Sequence, residues 1–219
     1  MVKSVSQARR VKARALESSA ILLAVMIAGP AYAQCAPDPT VANGTTTCTG
    51  TDTDGLKVTT ANTTVDVAVG AKVSNSGAPA IAIDIVPSDI YSQTRSAVIV
   101  AGQVDGGDQA GVRLVSRNPS NGYSSANLSM TVAAGGQVSG ANGLVVDVIG
   151  DGYRSATVSI DNSGTITGTI TGTNGYALLS NRSGYVDFTT INNRAGGTIG
   201  AIRGAIVPPA RLLIVVKST

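Results

Sequence analysis

The chain contains no histidine and no tryptophan, and it has one phenylalanine among its 219 residues. Histidine is the commonest general base and the usual base of a serine-histidine-aspartate triad, so catalysis of that kind is excluded. Proteins that bind single-stranded nucleic acid stack successive bases on aromatic side chains, and this chain has too few of them to form such a platform. We therefore expect a protein that is not an enzyme and has no nucleic-acid partner.

Charge is also scarce, and its balance changes along the chain. Charged residues make up 13% of the sequence, with 16 lysines and arginines against 13 acids. Five of the basic residues and one acid, Glu17, precede Gln34, so 11 basic and 12 acidic residues remain from Gln34 onward. The excess of positive charge therefore belongs to the N-terminal segment, and it does not indicate that the mature chain binds nucleic acid.

Residues 1–33 have the order of regions that is typical of a signal peptide. Basic residues come first, an apolar run of 10 residues spans positions 20–29, and the small-x-small sequence Ala31-Tyr32-Ala33 follows. The apolar run is shorter than the roughly 20 residues that a membrane-spanning helix needs. We predict cleavage between Ala33 and Gln34, export through the inner membrane, and no stable membrane span in the mature chain. The alternative is an uncleaved N-terminal anchor.

The two cysteines, Cys35 and Cys48, closely follow the predicted cleavage site. In an exported chain, a pair that is 13 residues apart predicts a disulfide that closes a small loop. Such a bridge stabilises a fold by about 3 kcal/mol in the loop-entropy model. Two cysteines without histidine supply too few ligands for zinc, so we expect neither a metal nor a cofactor. We assign residues 34–62 to an N-terminal cap that contains this disulfide.

An imperfect repeat occupies residues 63–206. Each unit has an alternating β segment, a glycine-centred turn, a short polar stretch and a second apolar β segment. The glycines at these turns are spaced by 32, 34, 28 and 33 residues, at Gly70, Gly102, Gly136, Gly164 and Gly197. A period of about 30 residues without a helical stretch is typical of a solenoid of strands. The sequence therefore predicts an all-β chain that forms a right-handed parallel β-helix of about five irregular coils. Residues 207–219 would be a C-terminal tail or cap, and a two-sheet sandwich is the alternative fold.

Alternation within the β segments predicts which side chains face the core. Val65, Val67 and Val69 should share one side of their strand, with Asp66 on the other. The apolar isoleucines of the segment 81–85 should face inward in the same way. Because one coil cannot enclose a core, the apolar side chains should stack on those of the neighbouring coils.

Longer polar segments connect the β units, at residues 87–95, 116–125, 150–154 and 169–174. Three of these segments carry or flank a tyrosine, namely Tyr91, Tyr123 and Tyr153. Loops that leave successive coils at one corner would form a binding face for sugar or protein. The alternative is that the tyrosines only cover the bases of their loops.

Two phrases carry a resemblance to a known family. The phrases are NSGTITG at residues 162–168 and NNRAGGTIGA at residues 192–201, and they follow a signal peptide and an early cysteine pair. In this combination the chain resembles the N-terminal passenger regions of Gram-negative autotransporters, the proteins of type V secretion. The resemblance covers residues 34–206 and rests on composition and repeats.

The resemblance implies a β-helix that is secreted or displayed at the cell surface, as an adhesin-type module or a stalk. A host-surface protein or glycan would be its partner. Passenger regions of this family are followed by a C-terminal β-barrel translocator, and the sequence after residue 206 does not resemble one. We therefore expect a separate or missing β-barrel translocator. Without a transporter the product would stay in the periplasm, and a truncated remnant with no function of its own is a further alternative.

Parallel β-helices also include carbohydrate-active enzymes, which use clustered carboxylates with a basic residue in a groove. The candidates for such a site are Asp84, Asp105, Asp108, Arg113 and Asp147. Asp84 and Asp147 occupy similar places in two repeats, where alternation places them on the solvent side. Asp105-Gly106-Gly107-Asp108 weakly resembles a calcium-binding turn. We therefore predict no catalytic site and keep the carbohydrate-active enzyme as the alternative.

Overall fold

The computed structural model describes residues 34–87, 93–117, 125–149, 156–168, 178–182, 188–204 and 212–213. All regular structure in these residues is β-strand. The strands, in chain order, are β1 (Cys35–Ala36), β2 (Thr45–Cys48), β3 (Thr51–Asp52), β4 (Leu56–Val58), β5 (Thr64–Val67), β6 (Lys72–Ser74), β7 (Ile81–Ile85), β8 (Gln93–Val100), β9 (Gln103–Asp105), β10 (Ala110–Arg117), β11 (Ser125–Val132), β12 (Gln137–Ser139), β13 (Asn142–Ile149), β14 (Ala156–Asn162), β15 (Thr165–Ile166), β16 (Leu178–Arg182), β17 (Phe188–Asn193), β18 (Thr198–Ile199), β19 (Ile202–Gly204) and β20 (Leu212–Leu213).

The strands form three sheets, and the chain visits the sheets in a fixed rotation. The first sheet has the order β1-β2-β5-β8-β11-β14-β17-β20, the second β3-β6-β9-β12-β15-β18, and the third β4-β7-β10-β13-β16-β19. Among the described strands, each pairing is parallel except that of β1 with β2. This arrangement confirms the parallel β-helix and excludes the antiparallel two-sheet sandwich. The right-handed winding stays a prediction, in keeping with the preferred hand of parallel crossovers.

The described residues form six coils, each with one strand in every sheet, followed by β20 beside β17. The sequence repeat begins at residue 63 and accounts for five of these coils. The additional coil consists of β2, β3 and β4, and it lies within the segment 34–62 that was assigned to the cap. Its strands are short and rich in threonine, so the apolar alternation that marks the other coils is weak there.

The turn between the first and second sheets contains two different positions that favour glycine. At one position the backbone lies against the coil below, and this position is held by Ala71, Gly102, Gly136, Gly164 and Gly197. The position just before it is held by Gly70, Gly135 and Gly196, which all have positive φ. The glycine repeat therefore marks the predicted corner. Gly70, however, lies one residue before the position that Gly102 occupies, because the register aligns Ala71 with Gly102.

Inward-facing side chains stack from coil to coil and form one apolar core. In the third sheet, Ile83 pairs with Leu114, and Leu114 pairs with Val146; all three are at most 1% exposed. Burial of such a side chain is worth about 1.5–3 kcal/mol, so each added coil stabilises the coil before it.

The predicted alternation is confirmed inside the strands and fails at one strand end. Val65 and Val67 are fully buried, as are the three isoleucines of the segment 81–85, and Asp66 lies outside the core. Val69 was expected inside, but it is 86% exposed. Strand β5 ends at Val67, and Val69 lies in the turn, where alternation no longer applies.

The asparagines of the two resemblance phrases have a structural role at the same corner. Asn162 is fully buried, and its Nδ2 donates to Asn193 Oδ1 at 2.8 Å and to the carbonyl oxygen of Thr198 at 3.1 Å. Asn193 Nδ2 donates to the carbonyl oxygen of Gly197 at 2.9 Å. These bonds satisfy the backbone carbonyls of Gly197 and Thr198 at this corner.

The first coil is closed by β1 and a disulfide. Strand β1 pairs antiparallel with β2, which places Cys35 directly opposite Cys48. The two residues, which are 13 positions apart, form the predicted disulfide, and both are at most 4% exposed. Strand β1 therefore covers the N-terminal edge of the first sheet, and the bridge covers the end of the core.

Asp52 interrupts an apolar row at this end of the helix. Its Cα partner is Val73, the row continues through Val104 and Val138, and Asp52 is 3% exposed. Asp52 Oδ1 accepts the Gly55 N–H at 2.9 Å. Burial raises the pKa of the Asp52 carboxyl above its usual 3.8, and a side-chain hydrogen bond with Asp54 raises it further.

We expect Asp52 to make the fold less stable as the pH rises from about 3.8 through its higher folded pKa. The folded state binds the proton more tightly than the unfolded chain, so it holds more protons in that interval, and the free energy of unfolding falls with pH. Asp52→Asn keeps an oxygen that accepts the Gly55 N–H but does not titrate. Urea unfolding of both proteins from pH 3.5 to pH 7 should show Asp52→Asn gaining stability relative to wild type as the pH rises.

Asp52→Val is the matched control, because it does not titrate and also loses the acceptor for Gly55. It should reproduce the pH trend of Asp52→Asn from a lower overall stability. A stability difference between wild type and Asp52→Asn that stays constant with pH would contradict the raised pKa.

Candidate functional site

The outer face of the first sheet carries a row of small side chains that are all polar except Ala97. In this row each residue is the Cα partner of the next, in the order Thr45, Thr64, Ala97, Ser129, Ser159 and Thr190. A parallel row beside it contains Arg95, Asn127 and Thr157. Neighbouring strands lie about 4.8 Å apart, so the row offers a polar group at each such step along the helix axis except at Ala97.

A groove with a volume of about 860 Å³ lies on this face. We call it the first-sheet groove. Its lining residues are Asn43, Asn62, Thr64, Gln93, Arg95, Ser96, Ala97, Asn127, Leu128, Ser129, Thr157 and Ser159. They come from β5, β8, β11 and β14 and from the turns that precede β2 and β5. The groove therefore spans several coils and depends on their stacking.

Two asparagine turns form one end of the groove. Asn43 and Asn62 both have left-handed backbone conformations, with φ of 59° and 57°. Asparagine tolerates this conformation better than most residues. Asn62 Nδ2 donates to Asn43 Oδ1 at 2.9 Å, and Asn62 Oδ1 accepts a hydrogen bond from the backbone N–H of Arg95 at 2.8 Å. Both carboxamides are therefore held in defined orientations at the start of β8.

Hydrogen bonds beneath the groove connect the same turn to β8. The hydroxyl of Ser96, which is 4% exposed, accepts the Thr63 N–H at 3.2 Å. The Thr63 hydroxyl lies 3.2 Å from the carbonyl oxygen of Val41, to which it donates. The wall formed by Asn43 and Asn62 is thus attached to the sheet through both side chains and backbone.

The groove is polar and carries a single type of charge. Among its described lining residues, Arg95 is the one charged side chain, and carboxylates and aromatic rings are absent. Leu128 is 1% exposed and Ala97 is small, so neither projects a large apolar side chain into the groove. An arrangement of carboxamides, hydroxyls and one guanidinium can bind a polar ligand, and it contains no general acid or base for catalysis.

The tyrosines predicted to form a loop binding face, Tyr91, Tyr123 and Tyr153, lie outside the described residues. Ala33 of the predicted cleavage site also lies outside them, and Gln34 is the first described residue. The predicted binding face and the predicted cleavage therefore stay predictions.

Three of the five candidate catalytic residues share the outer face of the third sheet. Asp84 and Asp147 are both Cα partners of Val115, and Arg113 lies on the intervening strand β10. Arg113 Nε donates to Asp147 Oδ2 at 2.8 Å, and a second guanidinium nitrogen lies 2.7 Å from the same oxygen. Asp147 was expected on the solvent side, but it is 5% exposed, whereas the side chain of Arg113 is 42% exposed.

The other two candidates lie elsewhere. Asp105 is at the end of β9 in the second sheet, where its Oδ1 accepts the Gly107 N–H at 3.1 Å and the Ser139 hydroxyl at 3.1 Å. Asp108 lies in the exposed turn that follows. The five candidates are thus divided between two sheets, and Asp105 has the contacts of a turn-stabilising residue.

The sequence reasoning missed the groove residues Asn43, Asn62, Arg95 and Asn127. One signal was present, because Asn43 and Asn62 each stand two residues before the first threonine of a strand, in NGTTTC and NTTVDV. Equal positions in neighbouring units indicate that the two side chains stack. Asn127 shares the sequence Asn-x-Ser/Thr with them, but its strand lies three coils beyond Asn43 and two coils beyond Asn62, so this sequence does not indicate that the three side chains line one groove.

No protein-family model, no curated protein and no solved structure matches the chain. In the residues that the structure describes, three or more histidine, cysteine, aspartate or glutamate side chains are nowhere grouped to hold a metal ion. The same residues contain no helix that is long and apolar enough to cross a membrane.

Proposed function

We propose that the chain is a non-enzymatic, exported β-helix of the autotransporter-passenger type, which acts outside the inner membrane as an adhesin-type binding module. The observation that carries this proposal is the first-sheet groove, a polar concave surface on a stacked scaffold with no general acid or base among its described lining residues. Binding surfaces on such solenoids extend over several repeats, as this groove does.

The disulfide supports the exported location. Cys35 and Cys48 are paired, and disulfides persist in oxidising compartments such as the periplasm and the cell surface. The bridge lies directly after the predicted signal peptide, so export would precede formation of the capped first coil.

The alternative of a carbohydrate-active enzyme has less support. A glycosidase needs one carboxyl group that reaches the glycosidic oxygen and a second that reaches the sugar or a water. Asp147 is buried and bound by Arg113, so substrate would first have to displace this ion pair. Asp84 lies two strands away from Asp147, with Val115 between them in the same row. We therefore interpret Arg113 and Asp147 as a structural pair.

The test is the fate of the chain in a Gram-negative host. A peptide tag placed just before Thr219 is followed by cell fractionation, by protease treatment of intact cells and by mass spectrometry of the N-terminus. We expect a mature chain that begins at Gln34, with a tag that is digested from outside or found in the medium. A periplasmic maltose-binding protein serves as the control for leakage.

Two results would contradict the proposal. A chain that keeps residues 1–33 in the cytoplasm would exclude export. A cleaved chain whose tag stays in the periplasm, and becomes protease-sensitive only after the outer membrane is opened, would favour the periplasmic or remnant alternative over the surface module.

A further inference from the structure

We propose that the first-sheet groove binds a segment of a carboxylate-bearing polysaccharide, with the Arg95 guanidinium pairing with a sugar carboxylate. The carboxamides and hydroxyls of the groove would bond the sugar hydroxyls. This inference rests on the proposed function, because such a polymer would be met outside the cell.

The polar side chains that line the groove match the hydrogen-bonding groups of a sugar. Sugar hydroxyls both donate and accept hydrogen bonds, and so do the side chains of asparagine, glutamine, serine and threonine. Nine of the twelve lining residues are of these four types. Leu128 is almost completely buried, so it does not project a large apolar side chain toward a ligand.

The positive charge of Arg95 favours a ligand that carries a carboxylate. Arginine presents a planar guanidinium that bonds a carboxylate through two parallel hydrogen bonds, a geometry that lysine does not offer. Arg95 is exposed on β8, in register with Asn127 of the next coil. Because the described lining residues include no carboxylate, an acidic sugar would not be repelled within the groove.

The side chains of the groove are held in fixed orientations before a ligand binds. Asn62 is held between Asn43 and the Arg95 N–H, and β8 is paired along its length with β11. Side chains that are already oriented lose less conformational entropy when a ligand binds. A long polar ligand can therefore bind here without ordering a loop.

A peptide that adds to a sheet as an extra strand fits this site less well. Strand addition needs an unpaired edge whose backbone groups are free. The groove lies on the face of the sheet, and its strands β5, β8, β11 and β14 each have a paired neighbour on both sides. Their backbone groups are used by the parallel ladders, so recognition depends on side chains.

Calorimetric titration of the purified mature chain tests the proposal. The probe is a polygalacturonate hexasaccharide, compared with its fully methyl-esterified form and with a neutral dextran hexasaccharide. We expect the acidic probe to bind and Arg95→Gln to weaken that binding by about 10- to 100-fold, since hydrogen bonds to a charged group are worth that much. Arg95→Lys should recover only part of the affinity. Thr157→Val, which removes one hydroxyl, should weaken binding by about 2- to 10-fold.

Lys57→Gln is the matched control, because it removes one positive charge from the exposed side of β4 in the third sheet. It should leave the affinity unchanged. Absence of binding, equal binding of the acid and its ester, equal binding of a polyglutamate peptide, or equal weakening by Lys57→Gln would each overturn the proposal. Surface exposure of the tagged chain is measured separately, so a groove that binds no acidic sugar leaves the proposed function standing.

Discussion

Gly136→Ala is expected to lower the free energy of unfolding by about 3 kcal/mol, near the upper end of the usual range for overpacking. A Cβ atom at Gly136 would lie 2.3 Å from the carbonyl oxygen of Val100 in the coil below. Backbone atoms cannot rotate away as a side chain does. The turn would have to move, and the bond from the Thr165 N–H to the Gly136 carbonyl oxygen, now 3.0 Å long, would be strained.

The neighbouring residue provides a matched control. Gly135 has a φ of +84°, and a Cβ atom there would have no other atom within 4 Å. Gly135→Ala should therefore cost only the strain of a left-handed alanine, about 1 kcal/mol. Urea unfolding of both variants, monitored by far-UV circular dichroism, measures the two costs. Equal destabilisation would mean that close stacking of the coils at this corner is not what requires glycine at position 136.

Loss of the Cys35–Cys48 disulfide is expected to cost about 3 kcal/mol, because the bridge closes a loop of 13 residues and restricts the unfolded chain. Both residues are buried at the end of the core, so the double change Cys35→Ala and Cys48→Ala keeps the site apolar. Each coil of a solenoid is stabilised by its neighbours, and the first coil has a neighbour on one side only. We therefore expect the first coil, residues 45–58, to open before the others.

Hydrogen exchange measured by mass spectrometry tests both parts of this expectation. The double variant should lose protection in β2, β3 and β4 and keep it in β10 and β13, which have parallel neighbours on both sides. A reductant should produce the same pattern in the wild type and have no effect on the variant. Uniform loss of protection along the chain would contradict local opening and would indicate that the helix unfolds as a single unit.

The outer face of the first sheet differs from the core in the polarity of its side chains. The inward positions of β5 carry valine and those of β8 carry threonine, serine and two valines, whereas the outward positions in the groove carry threonine, glutamine, arginine and alanine. A parallel ladder places equivalent positions of successive coils side by side, so an outward substitution in one coil changes one member of a row on this face. A binding surface can therefore arise on this face without altering the packing of the core.

Several features of the protein follow from the sequence alone. Strict alternation in segments such as 81–85 specifies a strand with one buried face, since a one-residue shift would expose its isoleucines. Glycines at intervals of about 30 residues mark the corner between two sheets, and at four of them, Gly102, Gly136, Gly164 and Gly197, the backbone of the neighbouring coil leaves no room for a side chain. Two cysteines that are 13 residues apart leave one possible intramolecular pairing, and the structure contains it. These features are local in the chain, or repeat at a fixed period.

Tertiary structure decided the remaining features. The first coil is short and rich in threonine, and its strands are recognised only by their pairing with the next coil. Gly70 and Val69 take their positions from the end of β5, and that end is set by the ladder with β8. The groove unites Asn43 with Thr157, which are more than a hundred residues apart in the chain. Only the stacking of coils brings such residues onto one face, because the register between coils depends on how all three sheets pack around the shared core.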